Sequence, residues 1–133
     1  LPDTLKQAIE GRKALNVYDY AVDAPPDISS LDKVEHAWNP AVATHPATGQ
    51  KAVFVNRLMS CRLEGMDESE SARILNAVFE HCEQRRFVYE HAWKPGDFII
   101  WDNLSSTHAR THFEQGDARR LRRCKVNGSE LAA

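Results

Sequence analysis

The last third of the sequence is a series of short segments typical of β-strands, separated by turn residues. Aromatic and histidine residues alternate along 87–93, Lys-Pro-Gly-Asp at 94–97 is a turn sequence, and 98–101 (FIIW) is a continuous apolar run. Such a run favours a strand covered on both faces. Two further strands are predicted at 107–113 and 121–126. The chain is therefore expected to be mainly β, with flanking helices.

The first half of the sequence predicts one helix, one strand and one hairpin. Residues 1–12 have the apolar spacing of a short helix, and 15–21 alternate apolar and polar residues as a half-buried strand does. Residues 41–44 and 51–55 favour β-structure and flank HPATGQ, whose residues suit a tight turn. Prolines and serines in 23–39 indicate a surface excursion.

A longer helix is predicted over Glu68–Cys82. Asp67 precedes it as an N-cap residue and Glu70 follows three positions later, which approximates a capping box. The apolar residues recur at helical spacing: Ala72, Leu75, Val78, Phe79 and Cys82.

Composition limits the classes of partner. A length of 133 residues suits one domain, or part of one, and 42% hydrophobic with 27% charged residues is typical of a globular chain. Seventeen basic against nineteen acidic residues give a net charge of −2, which argues against a general nucleic-acid or membrane-surface binder. No apolar run approaches the roughly 18 residues of a membrane span. No nucleic-acid or membrane partner is therefore expected.

The cysteines and the N-terminal segment indicate a cytoplasmic location. Cys61, Cys82 and Cys124 are widely spaced, and no CxxC pair occurs, which excludes a zinc ribbon or a thioredoxin-type site. We expect reduced, mostly buried thiols. The amphipathic start LPDTLKQAIEGRK is unlike a signal peptide.

Four arginines lie close together near the end of the sequence. On a strand, Arg119, Leu121 and Arg123 point to one face, and Arg120 and Arg122 to the other. Leu121 favours an inward direction for its face, and a buried arginine must be paired. A carboxylate or sulfonate ligand suits this pairing, because a guanidinium binds such groups through two hydrogen bonds. The outward pair is interpreted as a solvated edge.

His108 is the second candidate for chemistry. The predicted strand 107–113 neighbours the arginine strand and projects His108, Arg110 and His112 to one face. A single strand histidine is more often structural, and His112 is interpreted in that way. Beside two inward arginines, however, His108 favours a site, and imidazole suits iron, zinc or copper.

These residues resemble a known family. The pattern KPGDFIIWDN…HAR…F…RRLRR is similar to the C-terminal motif of the TauD/TfdA family, which are non-haem Fe(II), 2-oxoglutarate-dependent dioxygenases. THPATGQKAVFVN and MDESESARILNAVFEH resemble the same family in the same order, so the resemblance covers about 41–128. It implies a double-stranded β-helix (a clavaminate synthase-like jelly roll), present here in part.

The resemblance implies roles for individual residues. His108 matches the distal iron-binding histidine, and Arg119 matches the arginine that binds the far carboxylate of 2-oxoglutarate. Arg123 matches a second active-site arginine that faces 2-oxoglutarate or an anionic substrate. The WDN motif at 101–103 is interpreted as a structural shoulder beside the site.

The implied activity is hydroxylation of a small, anionic organic substrate, such as a taurine-like sulfonate or a carboxylate. The implied cofactors are Fe(II), with 2-oxoglutarate and O2 as cosubstrates, and ascorbate is a further candidate. The expected partner is the small-molecule substrate, and a homo-oligomer is left open.

One part of the family pattern is missing. The first iron-binding histidine and the carboxylate form an H-x-D motif, and none of the six histidines has aspartate two residues later. His81-Cys82-Glu83 has the form H-x-E but lies at the end of the predicted helix. The whole chain, 1–133, therefore resembles the C-terminal part of one dioxygenase domain, and we expect it alone neither to bind iron tightly nor to turn over substrate.

A non-catalytic binding or structural jelly-roll domain is the alternative. In that case His108 is a core histidine, and the arginines bind an anionic partner. The arginine cluster lacks the interleaved aromatic residues that stack on single-stranded nucleic acid. The dioxygenase interpretation requires His108 and Arg119 to face one cavity, whereas the alternative does not.

Overall fold

The computed structural model describes residues 1–18, 28–111 and 120–126. These residues contain five β-strands, two α-helices and two short 3-10 helices. The strands are β1 (Lys13–Val17), β2 (His36–Pro40), β3 (Val42–Thr44), β4 (Lys51–Val53) and β5 (Ser60–Leu63). The α-helices are α1 (Asp3–Ile9) and α2 (Glu68–Cys82), and the 3-10 helices are Ile28–Lys33 and Arg85–Phe87.

Three strands form an antiparallel sheet in the order β2-β1-β5. Leu15 of β1 lies opposite Trp38 of β2 and Arg62 of β5, and a β-bulge follows Leu15 on the β5 side. The prediction of a half-buried, alternating strand at 15–21 is corrected for its described part: the strand is Lys13–Val17 and residues 14–17 are all buried, while 19–21 lie outside the described residues. A central strand is paired along both edges and covered on both faces, so alternation in its sequence does not predict its exposure.

Helix α2 begins and ends where the sequence predicts. The side chain of Asp67 accepts a hydrogen bond from the Glu70 amide at 2.8 Å, which confirms the predicted N-cap. The buried face differs in part, because Ala72 and Cys82 are exposed. The buried residues are Ser71, Ile74, Leu75, Val78 and Phe79.

Ser71 is buried because its hydroxyl oxygen accepts the Leu63 amide of β5 at 3.0 Å. Both residues have no exposed surface. This bond joins α2 to the sheet beside the apolar core. The core consists of Ile9, Ala14, Ala41, Val55, Leu63, Ile74, Leu75, Val78 and Phe79.

The predicted hairpin is confirmed as β3 and β4. Val42 lies opposite Val53, and the His45 amide donates to the Gln50 carbonyl at 2.8 Å. Gly49 has a φ of +70°, a left-handed conformation that glycine adopts without a Cβ clash. The turn residues between the two β-segments thus fix the register of the hairpin.

The strands predicted in the final third are wrong for the described residues. Neither 88–111 nor 120–126 contains a strand, although the turn at 94–97 is present. Phe98 is 85% exposed and Ile100 is 82% exposed, so the apolar run is not covered on both faces. A strand needs a partner with which to exchange backbone hydrogen bonds, and a sequence pattern does not supply that partner.

Two further expectations meet different outcomes. Part of the predicted surface excursion, 36–39, pairs with β1 as the edge strand β2, and 23–27 lies outside the described residues. The cysteines are free, as expected, but only Cys61 is partly buried, while Cys82 and Cys124 are exposed. Burial raises the pKa of the Cys61 thiol.

Among the described helices, none has the length and apolarity needed to cross a membrane.

Candidate functional site

His108 lies next to Trp101 on an exposed segment. The two ring centroids are 5.1 Å apart and the planes are tilted by 52°. This distance is within the range of favourable aromatic pairs. His108 follows a compact turn, which we call the WDN turn and define as residues 101–106, and the Trp101 ring joins the turn to the histidine.

Asp102 organises the WDN turn. One carboxylate oxygen accepts the Leu104 amide at 2.9 Å, and the other accepts the Ser105 hydroxyl at 2.5 Å. The Ser106 hydroxyl donates to the Asp102 backbone carbonyl. These donors, Ser105 first, hold the pKa of the Asp102 carboxyl below its ordinary value. The carboxylate is therefore ionised at neutral pH.

His45 connects the hairpin to the WDN turn. Its Nε2 lies 3.0 Å from the Asp102 carboxylate, and its Nδ1 accepts the Thr48 amide at 3.2 Å. The His45 side chain is only 15% exposed. From the sequence, His45 is predicted only as part of a turn. Its presence in the family-like segment THPATGQ is the signal that could have indicated a larger role.

A second histidine–aspartate pair stabilises the 94–97 turn. His91 Nε2 lies 2.9 Å from Asp97, and the same carboxylate oxygen accepts the Lys94 amide at 2.8 Å. The Lys94 amide and then His91 hold the pKa of Asp97 below its ordinary value. The His91 ring also meets Trp93 edge-on, with centroids 4.8 Å apart.

Of the two predicted arginine sites, the structure describes Arg123 but not Arg119. Arg123 is exposed, as are its neighbours Arg120 and Arg122, and 120–126 form no strand. The inward face predicted for Arg123 is therefore not observed. Arg119 and His112 lie outside the described residues. The convergence of His108 and Arg119 on one cavity stays a prediction.

The H-x-E sequence at the end of α2 is committed to other contacts. His81 remains within the helix, with its ring 5.5 Å from the Phe87 ring. The Glu83 carboxylate pairs with the Arg57 guanidinium at 3.0 Å. The helix would have to unwind for both side chains to reach one metal ion.

The iron site that the resemblance implies can be compared with the side chains of the described residues. Among 1–18, 28–111 and 120–126, no three His, Cys, Asp or Glu side chains are grouped in a way that could hold a metal ion. An iron site of this kind needs two histidines and one carboxylate around open positions. The described residues alone therefore do not fit an Fe(II) centre.

A cavity of about 260 Å³ lies elsewhere, between the end of α1 and the hairpin. Glu10 and Lys51, which form an ion pair, are on its wall together with Arg12 and Thr44. Neither His108 nor any residue of the WDN turn lines it. The cavity is thus separate from the candidate site.

Comparison with known proteins decides the family. The sequence model of the taurine catabolism dioxygenase TauD, TfdA family matches residues 1–125. The chain belongs to this family. TauD/TfdA membership agrees with the order of motifs along the chain, from the hairpin through α2 to the WDN turn.

Several relatives are similar over most of this chain. It is 32% identical to the alpha-ketoglutarate-dependent 2,4-dichlorophenoxyacetate dioxygenase of Cupriavidus pinatubonensis, covering 92% of this chain and 44% of the relative. The enzyme of the same name from Burkholderia sp. is 30% identical, covering 96% and 44%. Pentalenolactone F synthase of Streptomyces arenae is 30% identical, covering 63% and 28%. The chain thus spans less than half the length of these relatives.

Solved TauD/TfdA-like structures share the fold. A putative alpha-ketoglutarate-dependent 2,4-D dioxygenase from Burkholderia xenovorans superposes with a TM-score of 0.58 at 24% identity, covering 71% of this chain and 38% of the other. AAD-2 in complex with Mn(II) and N-oxalylglycine gives the same values. This similarity supports the expected fold class, strands with few helices.

Proposed function

We propose that this chain is the C-terminal part of a single Fe(II)- and 2-oxoglutarate-dependent dioxygenase domain. The observation that carries the proposal is the family match over residues 1–125, together with relatives of that activity that align with 92% and 96% of the chain. The fold of the complete domain would be a double-stranded β-helix, in which strands from distant parts of the sequence pair with one another.

Three residues carry the proposed site. His108 supplies one imidazole ligand to iron, and it is an exposed residue. Arg119 binds the distal carboxylate of 2-oxoglutarate. Arg123 contacts 2-oxoglutarate or the substrate. A guanidinium suits both arginine roles because its paired N–H groups match the two oxygens of a carboxylate.

The other iron ligands are proposed to come from an H-x-D segment that is absent from this sequence. Fe(II) bound by a single imidazole would be held weakly, because open, octahedral iron sites rely on two histidines and a carboxylate. The proposed activity therefore belongs to the whole dioxygenase. The 133-residue chain alone is proposed to be inactive.

The substrate is proposed to be a small organic anion. Two relatives are named for 2,4-dichlorophenoxyacetate, which is a carboxylate. An anion also suits the role proposed for Arg123. O2 is the proposed second cosubstrate, and ascorbate is a further candidate cofactor. The proposed location of the protein is the cytoplasm.

The proposal is tested on the full product of the gene that encodes this chain. With Fe(II), 2-oxoglutarate and a panel of aryloxyacetates and alkyl sulfonates, we expect succinate formation that depends on one class of anion. H108A should abolish succinate formation, whereas H36A, which removes an exposed histidine of β2, should leave it unchanged.

R123Q separates the substrate role from cofactor binding. It should raise the KM for the anionic substrate more than it lowers kcat. Absence of succinate with every substrate, or full activity of H108A, would overturn the proposal and favour a non-catalytic domain.

A further inference from the structure

We propose that His45 is a positioning residue, whose imidazole fixes the WDN turn, and through it Trp101 and His108, against the β3–β4 hairpin. The contact between His45 and Asp102 does not depend on the proposed function. The role that it gives His108 rests on that function, in which His108 binds iron. Four observations support this role: the hydrogen bonds of the His45 ring, the backbone bonds of its turn, the bonds of Asp102, and the ring contact of His108.

The hydrogen bonds of His45 define which nitrogen carries the proton. Nδ1 accepts the Thr48 amide at 3.2 Å, so this nitrogen has no proton of its own. In the neutral ring the proton is therefore on Nε2, which donates to the Asp102 carboxylate at 3.0 Å. Each ring nitrogen thus has a specific partner, and the orientation of the ring is determined at both ends.

The hairpin turn gives His45 a fixed base. Its amide donates to the Gln50 carbonyl at 2.8 Å, and its carbonyl accepts the Gly49 amide at 2.8 Å. The strands on either side of the turn are paired, Thr44 with Lys51. Because backbone and ring are both held, His45 presents its Nε2–H in one direction.

Asp102 connects His45 to the WDN turn. The carboxylate oxygen that receives His45 also accepts the Ser105 hydroxyl, while the other oxygen accepts the Leu104 amide. Fixing the carboxylate consequently fixes the turn around it. Trp101, adjacent in sequence, contacts the His108 ring at 5.1 Å.

An isolated ion pair on a protein surface contributes little. This pair differs, because the His45 side chain is only 15% exposed and both of its members make further hydrogen bonds, His45 with the Thr48 amide and Asp102 with Ser105 and Leu104. Hydrogen bonds to a charged carboxylate are stronger than those between neutral groups. The pair can therefore hold a segment of 101–108 that no strand pairing holds within the described residues.

The test compares two variants of His45 by NMR on the chain without iron or 2-oxoglutarate. H45Q retains an N–H near the position of Nε2, and H45L removes it at similar size. In the unaltered chain we expect the Nε2-protonated tautomer of His45 and cross-peaks between the rings of Trp101 and His108. H45L should shift the docked-to-undocked ratio of the WDN turn about tenfold and weaken these cross-peaks, and H45Q should restore them.

Two controls keep the test decisive. H36L removes a histidine whose Nδ1 bonds to the nearby Val34 carbonyl, and it should leave the Trp101–His108 cross-peaks unchanged. If H45L fails to give the far-ultraviolet circular dichroism of folded α2, D102N tests the same contact from the other side and should weaken the same cross-peaks.

Unchanged cross-peaks in a folded H45L or D102N, or equal loss in H45L and H45Q, would overturn the inference. Failure of the succinate assay with the NMR result intact would instead overturn only the proposed function.

Discussion

At the scale of single residues, the most informative positions are polar side chains that satisfy backbone groups. Asp67 caps α2, Ser71 binds the Leu63 amide and Asp102 binds the Leu104 amide. Each occupies a place where a backbone N–H has no partner of its own. Replacing such a residue leaves a donor unsatisfied, so its effect exceeds the loss of the side chain's surface.

Asp67→Ala removes the N-cap of α2. We expect the melting temperature to fall by about 3 °C, because helix N-caps contribute modestly to the stability of a domain of this size. Asp67→Ser, which retains an acceptor, should restore most of the loss. The measurement is thermal unfolding followed by circular dichroism at 222 nm.

The contribution of Asp67 should depend on pH. The Glu70 amide, followed by Ser69, lowers the pKa of the Asp67 carboxyl in the folded state. A depressed pKa means that the stabilisation is fully present above the unfolded-state pKa, about 4, and is lost as the pH falls through the folded-state pKa. Melting temperatures of the unaltered chain and D67N should differ at pH 7 and converge near pH 2. A constant difference would contradict this cause.

Ser71→Ala should destabilise the chain by about 1–3 kcal/mol, because the buried Leu63 amide loses its partner. The control is Ser69→Ala, in the same turn of α2, whose hydroxyl bonds the exposed Asp67 carboxylate and leaves no buried amide unsatisfied, so that it should cost clearly less. Urea unfolding gives both values. Equal losses would show that the Leu63 amide finds another acceptor.

At the scale of elements, those whose signals lie within their own sequence are predicted more reliably than those that depend on a pairing partner. Helix α2 was predicted to the residue since its cap and its apolar spacing lie within its own sequence. The hairpin was predicted for the same reason. Strand β5 was missed, because its four residues, SCRL, have no strand pattern and owe their conformation to pairing with β1. Helix α1 ends at Ile9 rather than near Arg12, because Gly11 has a φ of +73°.

Gly49→Ala tests the hairpin as an element. The new Cβ meets no atom within 4 Å, so the cost comes from the left-handed backbone conformation at φ +70°. We expect a loss of about 1 kcal/mol, and a smaller loss for Gly49→Asn, which tolerates this conformation better. Urea unfolding measures both. A stabilised alanine variant would mean that the turn has adopted another conformation.

At the scale of the whole molecule, a folded body and an exposed segment coexist. The body is the three-stranded sheet, the hairpin and the two helices around one apolar core. The segment comprises 88–111 and 120–126, where large apolar side chains are in contact with water, among them Tyr89, Phe98, Ile100 and Val126. An exposed apolar surface of this kind marks an interaction site or an aggregation liability.

Hydrogen exchange should separate these two parts in the isolated chain. Amides of β1 and α2 should be protected, while those of 98–101 should exchange at nearly the rate of an unfolded peptide, since they belong to no strand. In the full gene product, the same amides should gain protection if partner strands cover them. Equal exchange in both proteins would contradict the proposed jelly roll.

Iron titration of the isolated chain addresses the proposed division of the metal site. We expect no stoichiometric Fe(II) binding by calorimetry, because the described residues group no three candidate ligands. His108→Ala should therefore leave the titration unchanged. A tight, one-to-one site lost in that variant would contradict the proposed need for an H-x-D segment.

The sequence by itself determined the features whose causes are local: the cap and span of α2, the hairpin turn, and the ordered motifs that mark the TauD/TfdA family. Only the tertiary structure decided the burial of β1 on both faces, the contact between His45 and Asp102, and the lack of strands in 98–101. These depend on which distant segments meet. An apolar run can favour a strand, but the strand forms only where another backbone is in place to bond with it.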